Sequence, residues 1–213
     1  MLYNQIKGRQ IAEFLLEIKA VILRPEQPFK WASGWNSPIY CDNRLILSEP
    51  RVRTFIKSTW ANALKDLYPD ANAVAGVATA GIAHAALIAD ELDIPMAYIR
   101  SKPKEHGTEK LLEGKLLPEH KTVVIEDLVS TGKSSLVAAQ SIMSEGIPVM
   151  GLMSIFSYGF AEAEKAFADS NISFYSLCDY DTLIELAIAK GFVKQEDLAT
   201  LQAWRQDPAG WRK

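Results

Sequence analysis

Cysteine occurs twice and histidine three times in 213 residues, and no apolar run is long enough to cross a bilayer. Cys41 and Cys178 form no ligand pattern with each other or with the scattered His84, His106 and His120. A disulfide framework and an all-protein metal cage are therefore not expected. Without a secretory leader or a membrane-spanning run, the chain is expected to be cytoplasmic, with reduced thiols and no membrane partner. Positive charge is not in excess either. Lys and Arg number 23 against 26 Asp and Glu, a net charge of -3. No nucleic-acid partner is expected, and any polyanion must be met by a local cluster of cations. Internal repeats and low-complexity segments are absent. What remains is 48% hydrophobic, enough for one domain with appendages and too little for two of full size.

Ile6, Ile11, Phe14, Leu15, Ile18, Val21 and Ile22 fall at helical spacing and predict an amphipathic helix over 5–23, stopped by Pro25. Residues 29–33 and 37–42 read as a hairpin turning at Gly34-Trp35-Asn36. Ser48, with Pro50 just inside, predicts the start of a helix to about Leu67. From residue 72 short apolar runs (73–77, 96–99, 122–125, 149–155 and 172–175) alternate with helical stretches, the clearest at 81–91, 134–145 and 160–169. Helices over 179–190 and 194–206 close the chain. Such alternation predicts an α/β fold, a doubly wound and mostly parallel sheet that binds ligands at the carboxyl ends of its strands.

The most informative stretch runs from Thr122 to Ser135. An apolar β-branched run ends on Glu126 and Asp127, and a turn of small and hydroxylated residues opens into a helix. Such a loop aims backbone N–H groups and the positive end of a helix dipole at one phosphate. The acids then sit where a sugar bearing that phosphate presents its hydroxyls. Gly132-Lys133-Ser134 also matches the end of a nucleoside triphosphate loop, but the first glycine of that pattern falls on Asp127, whose charge repels phosphates. An ordinary strand-to-helix turn with acids drawn to a helix start is the plainer alternative. A second small-residue turn, Gly76-Val77-Ala78-Thr79-Ala80-Gly81, serves either close approach to a ligand or packing alone. His84, among alanines, reads as a packed histidine. Between Arg100 and Lys121 the connection is far longer than usual, and Arg100, Lys102, Lys104 and His106 lie within seven residues of it. It is either a lid for a multiply charged anion or a solvated loop, the latter supported by Glu105 and Glu109.

The acid-acid-apolar-apolar-Ser-Thr-Gly order resembles the phosphoribosyl pyrophosphate (PRPP) signature of type I phosphoribosyltransferases. With the segment from Phe29 to Tyr40 and the run Arg100-x-Lys102-x-Lys104-x-His106-Gly107, the chain resembles the orotate phosphoribosyltransferases over essentially its whole length. The resemblance implies a pentosyltransferase of pyrimidine biosynthesis that moves ribose 5-phosphate from PRPP to N1 of orotate, giving orotidine 5′-monophosphate and pyrophosphate. It implies one type I phosphoribosyltransferase domain over 1–213, with a helix and hairpin hood at 1–70, a PRPP-binding core at 71–176 and C-terminal helices at 177–213.

On that resemblance Arg100, Lys104 and His106 bind PRPP, while Glu126, Asp127, Leu128, Val129, Ser130, Thr131, Gly132, Lys133 and Ser134 cradle its ribose phosphate. Ser130 and Tyr40 contact orotate, and Lys104, His106 and Asp127 are the catalytic set. Magnesium is implied as cofactor, held mainly by substrate oxygens, together with a homodimer whose lids serve shared sites. Some members carry lysines at the places of Ala32 and Ala80 and an arginine near the place of Tyr158. Arg44 is the candidate replacement for the orotate carboxylate, unless it forms a salt bridge with Asp42 or Glu49. Lys133 either adds charge at the 5′-phosphate or points outward. A purine phosphoribosyltransferase would share the signature but lack the hairpin and lid, and a PRPP-sensing regulator would bring a basic DNA-binding unit that residues 1–70 lack.

Overall fold

The computed structural model describes residues 1–102 and 111–212. Helix α1 (Gln5–Glu17) starts where the Asn4 side chain accepts the Lys7 N–H, and it is shorter than the periodicity predicts. Lys19 takes a φ of 58° and turns the chain, so Val21 and Ile22 leave the helix for strand β1 (Val21–Leu23). β-branched residues gain more from a strand partner than from a fifth helical turn. Ile6, counted on the apolar face, is 72% exposed.

The hairpin joins β2 (Phe29–Lys30) and β3 (Asn36–Ser37) antiparallel, with Gly34 at a φ of 87° in the turn. Its second arm does not continue to residue 42. Pro38 supplies no N–H to the ladder, and β4 (Ile39–Cys41) pairs with β1 instead. A 3-10 turn over Asn43–Ser48 leads into α2 (Pro50–Leu67). Pro50 is the first helical residue as expected, but Ser48 belongs to the turn before it, and Glu49 flanks the helix without a capping side chain.

Next come β5 (Ala73–Val77), α3 (Ala80–Leu92), β6 (Met96–Ile99), β7 (Leu112–Glu113), β8 (Thr122–Val129) and α4 (Lys133–Ser144). They are followed by β9 (Val149–Ser157), α5 (Ala161–Asp169), β10 (Phe174–Asp179), α6 (Tyr180–Ala189), a 3-10 turn at Gln195–Asp197 and α7 (Leu198–Gln206). The main sheet has the order β10-β9-β8-β5-β6-β7, parallel throughout except where β7 returns against β6. Along β8, Val123 and Ile125 enter the apolar layer shared with α1, α2, α3 and α6, and Val124 enters the layer with α4 and α5. This is the doubly wound α/β architecture, both faces of a parallel sheet covered by helices.

Two differences from the sequence expectation shape the site. β8 extends past Ile125 to Val129, because the parallel ladder to β9 continues through Glu126, Leu128 and Val129; the acids therefore lie in the strand and not after it. Likewise β9 runs to Ser157, and β10 occupies Phe174–Asp179 in place of 172–175. The long connection after β6 also has a structured base. β7 pairs with Tyr98 and Ile99, and the Arg100 N–H donates to the Leu111 carbonyl at 2.9 Å.

Candidate active site at the end of β8

Glu126 is only 6% exposed, and its carboxyl accepts the Ser135 hydroxyl at 3.2 Å and the Asp127 backbone N–H at 3.1 Å. Burial raises the pKa of Glu126 well above the usual carboxylate range, and the adjacent Asp127 charge raises it further. Asp127 is also raised by burial, against a lowering contribution from its hydrogen bond with Glu126. The buried Glu126 carboxyl thus favours its protonated form beside the Asp127 carboxylate. On the other side, Asn43 Nδ2 donates to the Asp127 carbonyl at 2.7 Å and ties the 3-10 turn after β4 to the acid pair.

Ser130 and Thr131 follow, and Gly132 turns the chain into α4 at a φ of 77°, where a side-chain Cβ would lie 2.9 Å from the Phe167 ring. No side chain caps the first N–H groups of α4, and the positive end of its dipole lies at the loop that follows the acids.

Beneath the pair, the β5–α3 turn is packed to its limit. A Cβ on Gly81 would stand 2.5 Å from the Ile125 carbonyl oxygen, and one on Gly76 would stand 2.8 Å from the Gly81 carbonyl oxygen. Packing thus accounts for both glycines. His84, 3% exposed beside Trp60, has its pKa lowered to about 4 by burial and is a packed neutral residue.

A phosphoribosyl transferase domain family matches residues 48–176. The orotate phosphoribosyltransferase of Cytophaga hutchinsonii is 50% identical over 205 residues, covering 96% of this chain and 98% of that protein. The Bacillus subtilis enzyme of the same name is 52% identical over 96% of this chain and 95% of its own length. The chain belongs to the orotate phosphoribosyltransferases. Among solved structures, the family member from Aeropyrum pernix superposes with a TM-score of 0.74 at 26% identity, covering 86% of this chain and 99% of that one. The fold also matches Leishmania donovani UMP synthase at a TM-score of 0.76 and 23% identity, over 93% of this chain and 42% of that one.

Within that family frame, the other sequence candidates fall as follows. Lys133 points outward, its side chain exposed, and pairs with Glu162 of α5 at 2.9 Å. Arg44 forms the Asp42 salt bridge, with Nε and Nη2 at 2.6 and 2.7 Å from the two carboxylate oxygens, and this pairing holds Asp42 below the ordinary carboxylate range. Tyr40, 40% exposed, lies with its ring 5.6 Å from that of Phe29. Arg100 stands 3.6 Å from Glu113 across the base of the long connection. Lys104 and His106 lie outside the described residues. Tyr158, near the place of the arginine of other members, is 2% exposed and packs against Trp31 and Phe160. Sequence reasoning missed Asn43 and Ser135, which hold the acid pair. Asn43 follows the hairpin without any motif, and Ser135 is one of several hydroxyls after Gly132.

Proposed function

We propose that this chain transfers ribose 5-phosphate from PRPP to N1 of orotate, giving orotidine 5′-monophosphate and pyrophosphate in pyrimidine biosynthesis. The observation that carries the reading is an acid pair in the last half of β8, with Glu126 buried, shortly before the uncapped start of α4 and tied to the 3-10 turn that follows the hairpin. In this reading Glu126 and Asp127 accept the ribose 2′ and 3′ hydroxyls. Residues 128–134 take the 5′-phosphate through backbone N–H groups and the Ser130, Thr131 and Ser134 hydroxyls.

The hairpin and Tyr40 hold the base. Asp42 uses only part of the Arg44 guanidinium, and the donors left over face the orotate carboxylate.

The C1–N1 bond forms as the C1–O bond to pyrophosphate breaks, the bonding electrons leave with pyrophosphate and the N1 proton is released. Positive charge builds on the ribose ring on the way, as in glycoside cleavage. Arg100, Lys104 and His106 neutralise the leaving group while the lid keeps water from the ribosyl carbon. Each such donor contributes about 2.7 to 4 kcal/mol in the transition state, by analogy with oxyanion donors. The acid pair is an oxygen donor set suited to magnesium shared with substrate oxygens, and the ion, when bound, offsets pyrophosphate charge. The enzyme is cytoplasmic.

Purified protein with PRPP and magnesium is expected to consume orotate, followed by loss of its absorbance. Consumption of uracil, hypoxanthine or guanine in its place would refute the base assignment.

The reading includes a homodimer in which each lid serves the neighbouring site, as the length of the connection between β6 and β8 allows at a two-fold interface. Inactive Lys104→Ala protein mixed with inactive Asp127→Asn protein should then regain activity. Hybrid dimers hold one intact site, so random exchange of an equal mixture restores about a quarter of the wild-type sites. Absence of recovery after verified subunit exchange would assign each lid to its own subunit.

A further inference from the structure

The hairpin proposed to hold the base packs through Trp31 on Tyr158 of the β9–α5 turn, ring centroids 5.1 Å apart, and both are short segments of little intrinsic stability. An isolated two-stranded ribbon does not hold one conformation in water. Both are fastened to the same helix. Trp204 of α7, fully buried, donates its indole N–H to the Asn36 carbonyl of the hairpin at 3.1 Å. Its ring meets Trp31 edge to face with centroids 5.6 Å apart and packs at the same distance against Tyr158. The next residue, Arg205, donates to the carbonyls of Tyr158 at 3.3 Å and Gly159 at 3.2 Å, and is itself oriented by Asp181 at 2.9 Å. Gly159 has a φ of 63°, and a Cβ there would lie 3.0 Å from the Arg205 guanidinium. Beyond α7, the Arg212 carbonyl accepts the Asn36 side-chain amide, and the Arg212 guanidinium donates to the Pro25 carbonyl at 2.8 Å.

We propose that Trp204 and Arg205 are positioning residues for orotate: adjacent on one helix, they fix the hairpin and the β9–α5 turn against each other and so set the position in which the hairpin meets the base. The inference rests on the orotate reading given above. Neither residue touches the reacting atoms, and neither hydrogen bonds to β8 or α4, where PRPP is held. The turn that Arg205 braces does meet β8, its Tyr158 N–H donating to the Val129 carbonyl at 3.1 Å, so their loss acts more strongly on orotate than on PRPP. An aromatic anchor with a buried N–H suits this role, because the ring supplies contact in all directions while the single donor sets register.

Two variants test it. Trp204→Phe keeps most of the ring and removes the indole donor; Arg205→Gln removes the fork to the two carbonyls and leaves the buried cluster intact. Each is expected to raise KM for orotate about three- to tenfold, the worth of one or two hydrogen bonds, with a clearly smaller change in KM for PRPP. Amide exchange of Trp31 and Gly34, whose N–H groups close the hairpin turn, should quicken in Trp204→Phe while β8 amides keep their protection. Equal rises in both Michaelis constants, or an unchanged orotate constant with a lower melting temperature, would reduce α7 to a structural support and overturn the proposal. Wild-type protein that does not use orotate would defeat the functional reading alone. The exchange measurement would still decide whether α7 braces the hairpin, and unchanged hairpin exchange in Trp204→Phe would end the inference.

Discussion

Asp127→Ala is expected to lower kcat/KM for PRPP by about 100- to 1,000-fold, the loss of one or two hydrogen bonds from ribose hydroxyls to a charged acceptor at roughly 1.5 to 3 kcal/mol each. Initial rates at varied PRPP measure it, and a loss smaller than about threefold would remove Asp127 from the sugar clamp. Glu126→Gln is the companion variant, because in it function and stability should move in opposite directions. The Glu126 pKa is raised above its unfolded value of 4.5, so above that pH the folded chain binds more protons than the unfolded one. Stability contributed by this group is therefore lost as pH rises from about 4.5 towards the folded value. A glutamine at this position reproduces the protonated acid: it accepts from the Asp127 N–H and donates to the Asp127 carboxylate. The melting temperature of Glu126→Gln should gain on that of wild type between pH 5 and pH 8 in the absence of ligand, while its PRPP binding weakens. Parallel losses of stability and binding would mean that the acid is a structural residue.

Gly81→Ala is expected to destabilise the chain by about 3 kcal/mol, the upper part of the overpacking range, because the obstructing atom is the Ile125 backbone carbonyl and not a side chain that can turn away. For a domain of this size that corresponds to a fall of roughly 6–12 °C in melting temperature by calorimetry. The same substitution should weaken PRPP binding, since the Gly81 Cβ direction also leads to Glu126 Cα at 3.5 Å, and any relief of the clash displaces the acid pair. An unchanged melting temperature would show that α3 can withdraw from β8 freely, against the packing described here.

Local chemistry was enough to place the strand, the acid pair, the small loop and the helix start from Thr122 to Ser135 in order. Each rests on a pattern confined to a few neighbouring residues: an apolar β-branched run, two carboxylates, a glycine able to take positive φ, then helical periodicity. The alternation of short strands and helices, and hence the parallel sheet, was legible for the same reason. Element ends were not. β8 continues through two acids of low strand propensity because β9 offers it a ladder, and α1 gives up Val21 and Ile22 because β4 offers them a partner.

The acid and base character of the site was likewise decided by tertiary structure. Adjacent carboxylates in the sequence say nothing about whether they are solvated. Burial of Glu126 beside Ser135 raises its carboxyl pKa, and Asn43, 84 residues away, holds the Asp127 backbone in place. The directions of the long cations were also open, since a flexible side chain goes to whichever anion the fold brings near: Lys133 to Glu162 and Arg44 to Asp42. The tie between α7 and the hairpin, 168 residues apart at Trp204 and Asn36, is the extreme case. Patterns within the chain determined which chemistry is carried on which element. Contacts between distant segments decided which groups are dry, which are paired and which surfaces face the substrate, because burial and pairing exist only once those segments meet.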